Sequence, residues 1–267
     1  MTRTDTTTGI ARRARAGRRL SDGSAVYWWL EILMCLLFYF VYSVVRNANK
    51  SDPSDAFRNA RTIIQLEHDL RIFHEATIEG WALHAKPLII GANIYYGSLH
   101  FVVTIAVAII LYRKWSDEYP RWRNTLGVST GLALVGFVTF PLMPPRLLPS
   151  HYGFVDTLDK YPTFWSFDSG AVSRISNQFA AMPSVHCCWA LWCACVLVPH
   201  LKHPVAKAAA VMYPVLTVTV IVITANHYFL DAVGGFATLG IGYLVAQRMT
   251  HAGRRGVPPG TRSPSPA

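Results

Sequence analysis

Two short segments of the chain carry the side chains best suited to acid–base or nucleophilic chemistry. His227 and Asp231 are four residues apart in HYFLD, so on a helix they share one face. There the carboxylate holds one imidazole nitrogen and leaves the other free to react. Pro183 and Ser184 stand just before His186, and an apolar run follows this PSVH motif. The order predicts a helix start whose free backbone N–H groups and positive dipole end lie beside an imidazole.

A third candidate, Arg146, follows a hydrophobic segment and precedes a long loop. Its guanidinium is permanently charged, and its forked donor geometry matches phosphate oxygens. Alone, Arg146 also fits an interface anchor, and His186 also fits the solvated first turn of an ordinary helix. Together, the three sites favour a binding site for a phosphoryl group.

The composition indicates that this site belongs to a membrane protein. Of the 267 residues, 52% are hydrophobic and only 15% are charged, whereas soluble domains average about a quarter charged. We therefore predict an all-α polytopic membrane helix bundle with about six transmembrane spans in one catalytic domain, residues 25–250. The predicted spans are 25–45, 88–112, 125–143, 185–200, 206–225 and 228–247.

The remaining segments are predicted from their length and composition. Residues 1–24 are expected to form a basic cytoplasmic tail, and the Pro/Ser-rich residues 251–267 a disordered tail. Residues 144–183 form a long outer loop, and a loop of this length usually has a function. Between the first two spans, apolar residues recur at near-helical spacing. This segment suits an amphipathic helix in the outer interface or, alternatively, a lid or packing helix. Its apolar residues are Ile63, Leu66, Leu70, Phe73 and Ile78.

The distribution of charge predicts the orientation of the protein. The net charge is +10, and most of the 25 Lys and Arg residues fall in segments that share one side if the amino terminus is inside. This is the positive-inside pattern, so we expect a multi-pass protein of the cell membrane with a cytoplasmic amino terminus. All three candidate sites then lie on the outer face. The basic residues are not interleaved with aromatic residues, so no nucleic-acid partner is expected.

Arg146, PSVH at 183–186 and HYFLD at 227–231 resemble the three signature motifs of the type 2 phosphatidic acid phosphatase superfamily. The resemblance covers most of the chain, from about residue 85 to residue 247. The superfamily includes lipid phosphatases, vanadium haloperoxidases and lipid phosphotransferases.

Several positions depart from the usual motifs of that superfamily. Thr139 stands where the first motif has a lysine, Val185 replaces the glycine of the second motif, and Val220 and Ile221 occupy the Ser-Arg positions of the third. A similar pattern is found in the inositol phosphorylceramide synthase branch and its bacterial relatives. Residues 67–75 and NIYYGSLHF at 93–101 also resemble that branch. The Arg/Ala/Pro-rich ends suggest an actinobacterial member.

The resemblance implies a role for each matching residue. His227 would attack phosphorus to form a phosphohistidine, and Asp231 would orient its ring. His186 would protonate the leaving oxygen and then deprotonate the acceptor. Arg146 and Ser184 would bind the phosphate oxygens. No metal and no cofactor are expected.

Two questions stay open from the sequence. The substrate is predicted to be a lipid-linked phosphate ester, with either water or the hydroxyl group of another lipid as acceptor. A non-enzymatic alternative is a transporter or a structural membrane protein. The missing cations also require replacement, and the candidates for substrate binding are Arg174 in the outer loop and His100 and Tyr95 on the second span.

Overall fold

The computed structural model describes residues 17–48, 52–163 and 178–255, and within them the chain is a bundle of helices. The long helices are α1 (Trp28–Ala48), α4 (Lys86–Ile94), which continues through a π-helical turn (Tyr95–Leu99) into α5 (His100–Lys114), α6 (Tyr119–Thr139), α8 (Val185–Leu197), α9 (Pro204–Ile223) and α10 (Phe229–Arg255). The shorter elements are β1 (Gly17–Arg19), β2 (Ala25–Tyr27), α2 (Pro53–Asp69), α3 (Glu75–Ala82), α7 (Thr157–Lys160) and two 3-10 turns, Pro145–Leu147 and Ser150–Tyr152.

Several of these helices are suited to cross a membrane. In the described ranges, four stretches are long and apolar enough: Trp28–Val45, Lys86–Lys114, Pro204–Ile223 and Phe229–Met249. Helix α8 is apolar but has only 13 residues. The predicted all-α membrane bundle is confirmed, and the six long helical stretches overlap the six predicted spans. The count of six membrane crossings stays a prediction.

The ends of two helices, α6 and α8, do not coincide with the ends of the predicted spans. Helix α6 begins at Tyr119 rather than 125, because Pro120 is well tolerated in a first helical turn. It ends at Thr139 rather than 143, since Leu142 is already extended and pairs with Ala180. Helix α8 ends at Leu197 rather than 200, and its cap Val198 still has helical dihedral angles and donates its N–H to the Ala194 carbonyl.

Both predicted tails contain regular structure at their inner ends. Strands β1 and β2 form an antiparallel hairpin within and beside the predicted tail 1–24, with Arg18 opposite Val26. The turn includes Gly23, whose φ of 84° suits glycine. Helix α10 continues to Arg255, past the predicted boundary at 250. The rest of both tails lies outside the described residues.

The predicted amphipathic segment consists of two helices. Helix α2 ends at Asp69, and Arg71 then adopts a left-handed φ of 59° that separates it from α3. Ile63 is buried as predicted, whereas Leu66 and Leu70 are 46% and 53% exposed. The buried face of α2 is instead formed by Ala56, Ala60, Ile63, Ile64 and Glu67. This face packs against the segment before α10, so the contacts support the packing alternative.

A close backbone contact joins α8 to α10. The Ser184 N–H donates to the carbonyl of Asp231 at 2.9 Å. A Cβ atom on Gly235 would collide with the Ser184 carbonyl, so only glycine allows this approach. The contact holds the PSVH motif against the HYFLD motif.

Candidate active site

The centre of the site is a buried histidine–aspartate pair. His227 Nδ1 lies 3.1 Å from Asp231 Oδ2, which also accepts the Tyr228 N–H at 3.1 Å. Asp231 is fully buried, and His227 is 3% exposed. His227 lies in the connection before α10, because that helix begins at Phe229. The pairing predicted from the spacing is therefore present, although the histidine precedes the helix.

The surroundings of His227 keep its imidazole neutral. Burial lowers the pKa of His227 to about 4; the Arg146 charge acts in the same direction, and the Ala181 carbonyl opposes both. Which atom donates in the contact with Asp231 depends on the tautomer of the imidazole. With an ionised Asp231, Nδ1 carries the proton and Nε2 a lone pair. Nε2 is buried and has no hydrogen-bond partner. Such a nitrogen can act as a nucleophile.

The second imidazole comes from the start of α8. Ser184 is the N-cap of α8, and its hydroxyl accepts the Cys187 N–H at 3.5 Å. The ring of His186 lies 5.6 Å from the ring of His227 between centroids, with an angle of 63° between their planes. The structure thus brings together the two histidines that the sequence analysis selected. Ser184 is fully buried, and its hydroxyl is used by the helix cap.

The π-helical turn places two more rings against His186. Tyr96 stacks on His186 with centroids 4.3 Å apart, and the His100 ring lies 4.2 Å away on the same imidazole. His100, a predicted substrate-binding candidate, therefore reaches the site. Tyr95 turns toward α9 instead, where its hydroxyl group bonds Thr217 at 2.7 Å. Sequence reasoning missed Tyr96, because an ordinary helix gives no sign of the extra residue in a π turn.

Arg146 lies on the first 3-10 turn and is held by three contacts. Its backbone N–H donates to the Ala225 carbonyl at 2.8 Å, directly before the histidine segment. Its side chain donates from Nε to Asn226 Oδ1 at 3.1 Å and from Nη1 to Asp156 Oδ2 at 2.6 Å. Sequence reasoning selected neither Asn226 nor Asp156. Asn226 stands inside the TANHYFLD segment, next to His227, and its position there was the available signal.

Comparison with known proteins identifies the family. A sequence model described as the PAP2 superfamily matches residues 61–245, which is more than half of the chain. The chain belongs to the PAP2 superfamily. Membership supports phosphatase or phosphotransferase activity on lipid phosphate esters. Searches of characterised proteins and of solved structures found no match.

Thr139 and Ile221 stand where the usual PAP2 motifs have a lysine and an arginine, and neither side chain provides a polar group to the site. Thr139 is exposed, and its hydroxyl donates back to the Val135 carbonyl at 2.8 Å. Ile221 is buried in a hydrophobic cluster with Cys187. Arg174 lies outside the described residues. Of the residues that the structure describes, Arg146 is the permanent cation whose charge acts on His227.

The described ranges contain no group of three or more His, Cys, Asp or Glu side chains arranged to hold a metal ion. In this PAP2 protein, the arrangement combines an imidazole whose Nε2 has no partner, a second imidazole and a fixed guanidinium. This set of groups is suited to phosphoryl chemistry.

We predict that His227 makes the fold sensitive to acid. The unfolded chain binds a proton on this histidine near pH 6.5, whereas the folded protein binds it only near pH 4. The contribution of His227 to the free energy of unfolding must therefore decrease as the pH falls through this window. Between pH 7 and pH 5, the melting temperature of the wild type is expected to fall relative to that of His227→Gln. The exposed His84→Gln serves as the control and should follow the wild type. Equal pH responses in all three proteins would contradict the buried, neutral imidazole.

Proposed function

We propose that the protein is a membrane enzyme that transfers the phosphoryl-containing group of a lipid phosphate ester through a phosphohistidine at His227. The coarser statement, a phosphatase or phosphotransferase acting on lipid phosphate esters, follows from the PAP2 family. The proposal adds four points to the family assignment. These are the role of each site residue, the charge of the substrate, the identity of the acceptor, and the membrane face on which the site lies.

The reaction has two steps that share one intermediate. In the first, the His227 Nε2 lone pair attacks phosphorus, the bond to the leaving oxygen breaks, and protonated His186 gives its proton to that oxygen. In the second, His186 removes the proton of the acceptor hydroxyl group as its oxygen bonds phosphorus and the P–N bond breaks. Asp231 keeps the Nδ1 proton in place and stabilises the charge that develops on the ring. Arg146 stabilises the equatorial oxygens.

The observation that carries this proposal is the pair of imidazoles. Their ring centroids are 5.6 Å apart, and one ring has Nδ1 bound to a carboxylate while its Nε2 is unpartnered. The proposed mechanism needs a nucleophile on one side of the phosphorus atom and an acid–base group on the other side. His227 suits the first role and His186 the second. The Arg146 charge, which acts on His227, supports the same arrangement.

The charge of the site favours a phosphodiester substrate. A phosphate monoester carries close to two negative charges at neutral pH, because its second pKa is about 6, whereas a diester carries one. The described part of the site supplies one permanent cation, Arg146, and this guanidinium is already paired with Asp156. We therefore propose that the enzyme moves a phospho-headgroup from a phosphodiester lipid to the hydroxyl group of a second lipid. The resemblance of residues 93–101 to the inositol phosphorylceramide synthase branch supports this transferase reaction.

Water is the second candidate acceptor, because the PAP2 family includes phosphatases and the same phosphohistidine serves both reactions. The non-enzymatic alternative, a transporter or structural protein, would form no covalent intermediate. Both alternatives are outcomes of the experiments below.

The proposed orientation places the site on the extracytoplasmic face. Arg146 binds the connection between α9 and α10, and the start of α8 binds the first turn of α10, so these three parts lie at one end of the bundle. Lys114 and Lys202 are exposed at the connections that belong to the other end. The positive-inside rule assigns the lysine-bearing end to the cytoplasm.

We predict that the two histidines fail at different steps. The substrate is a nitrophenyl phosphodiester labelled at phosphorus, whose leaving group needs no proton. His186→Ala should still form the phosphohistidine but hydrolyse or transfer it slowly, so protein that carries the label accumulates. His227→Ala should bind no label covalently. With lipid substrates, both variants should lose turnover by about a hundredfold or more.

The matched control for this experiment is His84→Ala, which removes an exposed histidine and should behave as wild type. Acid-labile label on His227→Ala, or rapid turnover in either active-site variant, would contradict the assigned roles. Absence of both label and turnover in the wild type, with every substrate, would favour the non-enzymatic alternative.

We predict that the enzyme prefers a diester. In detergent micelles, phosphatidylinositol with a lipid alcohol should give a new phospho-lipid, with a kcat/KM at least about tenfold above that for phosphatidate, because the extra charge of a monoester has no cation to pair with. The measurement separates lipid products by chromatography and assays inorganic phosphate in parallel. Preferential release of phosphate from phosphatidate would identify a phosphatase instead.

We predict the membrane orientation from single cysteines placed in a background without the native ones. Ser150→Cys, in the exposed 3-10 turn beside Arg146, should react in intact cells with a thiol reagent that cannot cross membranes. Lys202→Cys, at the opposite end of the bundle, should react only after the cells are opened. The reverse pattern would place the site in the cytoplasm.

A further inference from the structure

Two buried glutamates outside the proposed catalytic set bind the start of α10. Glu67 on α2 accepts the Leu230 N–H at 2.8 Å, and Glu75 on α3 accepts the Phe229 N–H at 3.0 Å, each through Oε1. The first N–H groups of a helix have no partner within that helix, so these two carboxyl groups satisfy them. Because α10 carries Asp231 in its first turn, the glutamates hold the segment that positions His227.

The other oxygen of each glutamate, Oε2, is not used by the backbone of α10. Both side chains are fully buried, and the Oε2 atoms of Glu67 and Glu75 have no donor partner. The two carboxyl groups are nevertheless within hydrogen-bonding reach of each other. Two ionised carboxylates would face each other with acceptors only, whereas one proton between them turns this contact into a hydrogen bond.

We propose that Glu67 and Glu75 share one proton between their Oε2 atoms and that this pair, the carboxyl clamp, positions the His227–Asp231 pair by fixing the first turn of α10. The clamp extends the proposed function, since it rests on the role assigned to His227. Its two members are positioning residues, because they act through the backbone of α10 and not on the substrate.

The surroundings of the clamp favour the shared proton. Burial raises the pKa of Glu67 to about 9, and the neighbouring Glu75 raises it further, against the opposite effect of the Leu230 amide. From α10, the facing groups are Asp231, whose charge also raises the pKa of Glu67, and the preceding Tyr228 phenol. None of these neighbours, within the part of the chain that the structure describes, is a cation. A second full charge in this place would therefore be uncompensated.

The clamp also determines the effect of pH. Unfolded, Glu67 loses its proton near pH 4.5, whereas the folded pair keeps it until about pH 9. The contribution of the clamp to the free energy of unfolding therefore decreases as the pH rises through this window, opposite in direction to the contribution of His227. Above it, two charged carboxylates repel each other beneath α10, so the first turn loosens and the position of His227 is lost.

The test replaces each clamp glutamate by glutamine. In Glu67→Gln or Glu75→Gln, the amide oxygen still accepts the backbone N–H and the NH2 group replaces the shared proton. Each single variant should keep wild-type turnover at pH 7 within about twofold, because every hydrogen bond is retained. The fall in turnover at alkaline pH should move to higher pH, since an amide does not ionise there.

The double variant Glu67→Gln/Glu75→Gln provides the sharper contrast. It sets two NH2 groups against each other and leaves a buried donor without an acceptor, so turnover should fall by about tenfold or more. A simple loss of packing would not leave turnover unchanged in both single variants and reduce it strongly in the double variant. Asp69→Asn, an exposed acidic position on the same helix, is the matched control and should leave the pH profile unchanged.

A measurement without turnover separates the clamp from the proposed function. At pH 8, the infrared difference spectrum of the wild type against Glu67→Gln, and that against Glu75→Gln, should each contain the band of a protonated carboxyl group, while the difference against Asp69→Asn should not. Absence of the band from both glutamine difference spectra, or an unchanged alkaline limb, would overturn the clamp. If the band behaves as expected but His227 forms no phosphohistidine, the proposed function fails and the shared proton stands.

Discussion

Asp231 is a fully buried acidic residue, and the local structure provides partners for its Oδ2 and its backbone carbonyl, whereas Oδ1 has none. Its side chain binds His227 and the Tyr228 amide through Oδ2, and its backbone carbonyl binds the Ser184 amide. A buried charge without such partners would cost several kcal/mol, roughly the stability of a small domain. The same contacts therefore stabilise the bundle and hold both histidine motifs in one place.

The second organising element is α3, whose carboxylates reach two parts of the site. Glu75 binds the start of α10, and one turn later Glu79 accepts the Val155 N–H at 3.3 Å. Burial raises the pKa of Glu79 to about 7. Val155 precedes Asp156, which binds Arg146, so α3 connects the segment that carries His227 to the guanidinium. The helix that the sequence suggested as a packing element thus supports both halves of the site.

The sequence was sufficient for the features that depend on local pattern. Hydropathy predicted the membrane helices, and three short motifs predicted His186, His227 and Arg146 as neighbours. The structure also places Tyr96, Asp156 and Asn226 at the site, and these residues were missed. Their contacts join distant segments, as the Arg146–Asn226 bond does across 80 positions, and no local spacing encodes such a pairing.

The roles of the two clamp glutamates were hidden for a related reason. Glu67 and Glu75 meet α10 from 163 and 154 positions away, and as charged residues they fit the solvated face of an amphipathic helix. Their burial depends on the break at Arg71, which turns α3 back toward the site. The predicted single helix would have separated them along one axis.

The shortness of α8 has a consequence for how a lipid meets the enzyme. Thirteen residues of helix cover about 20 Å, whereas the hydrocarbon layer is about 30 Å thick. If the far end of α8 lies at the cytoplasmic surface, then His186, in its first turn, lies below the level of the surrounding headgroups, unless the bilayer thins around the bundle. A phosphate group would then descend to the histidines while the acyl chains stay among neighbouring lipids. The thickness of the host membrane would thereby become part of the geometry of the reaction.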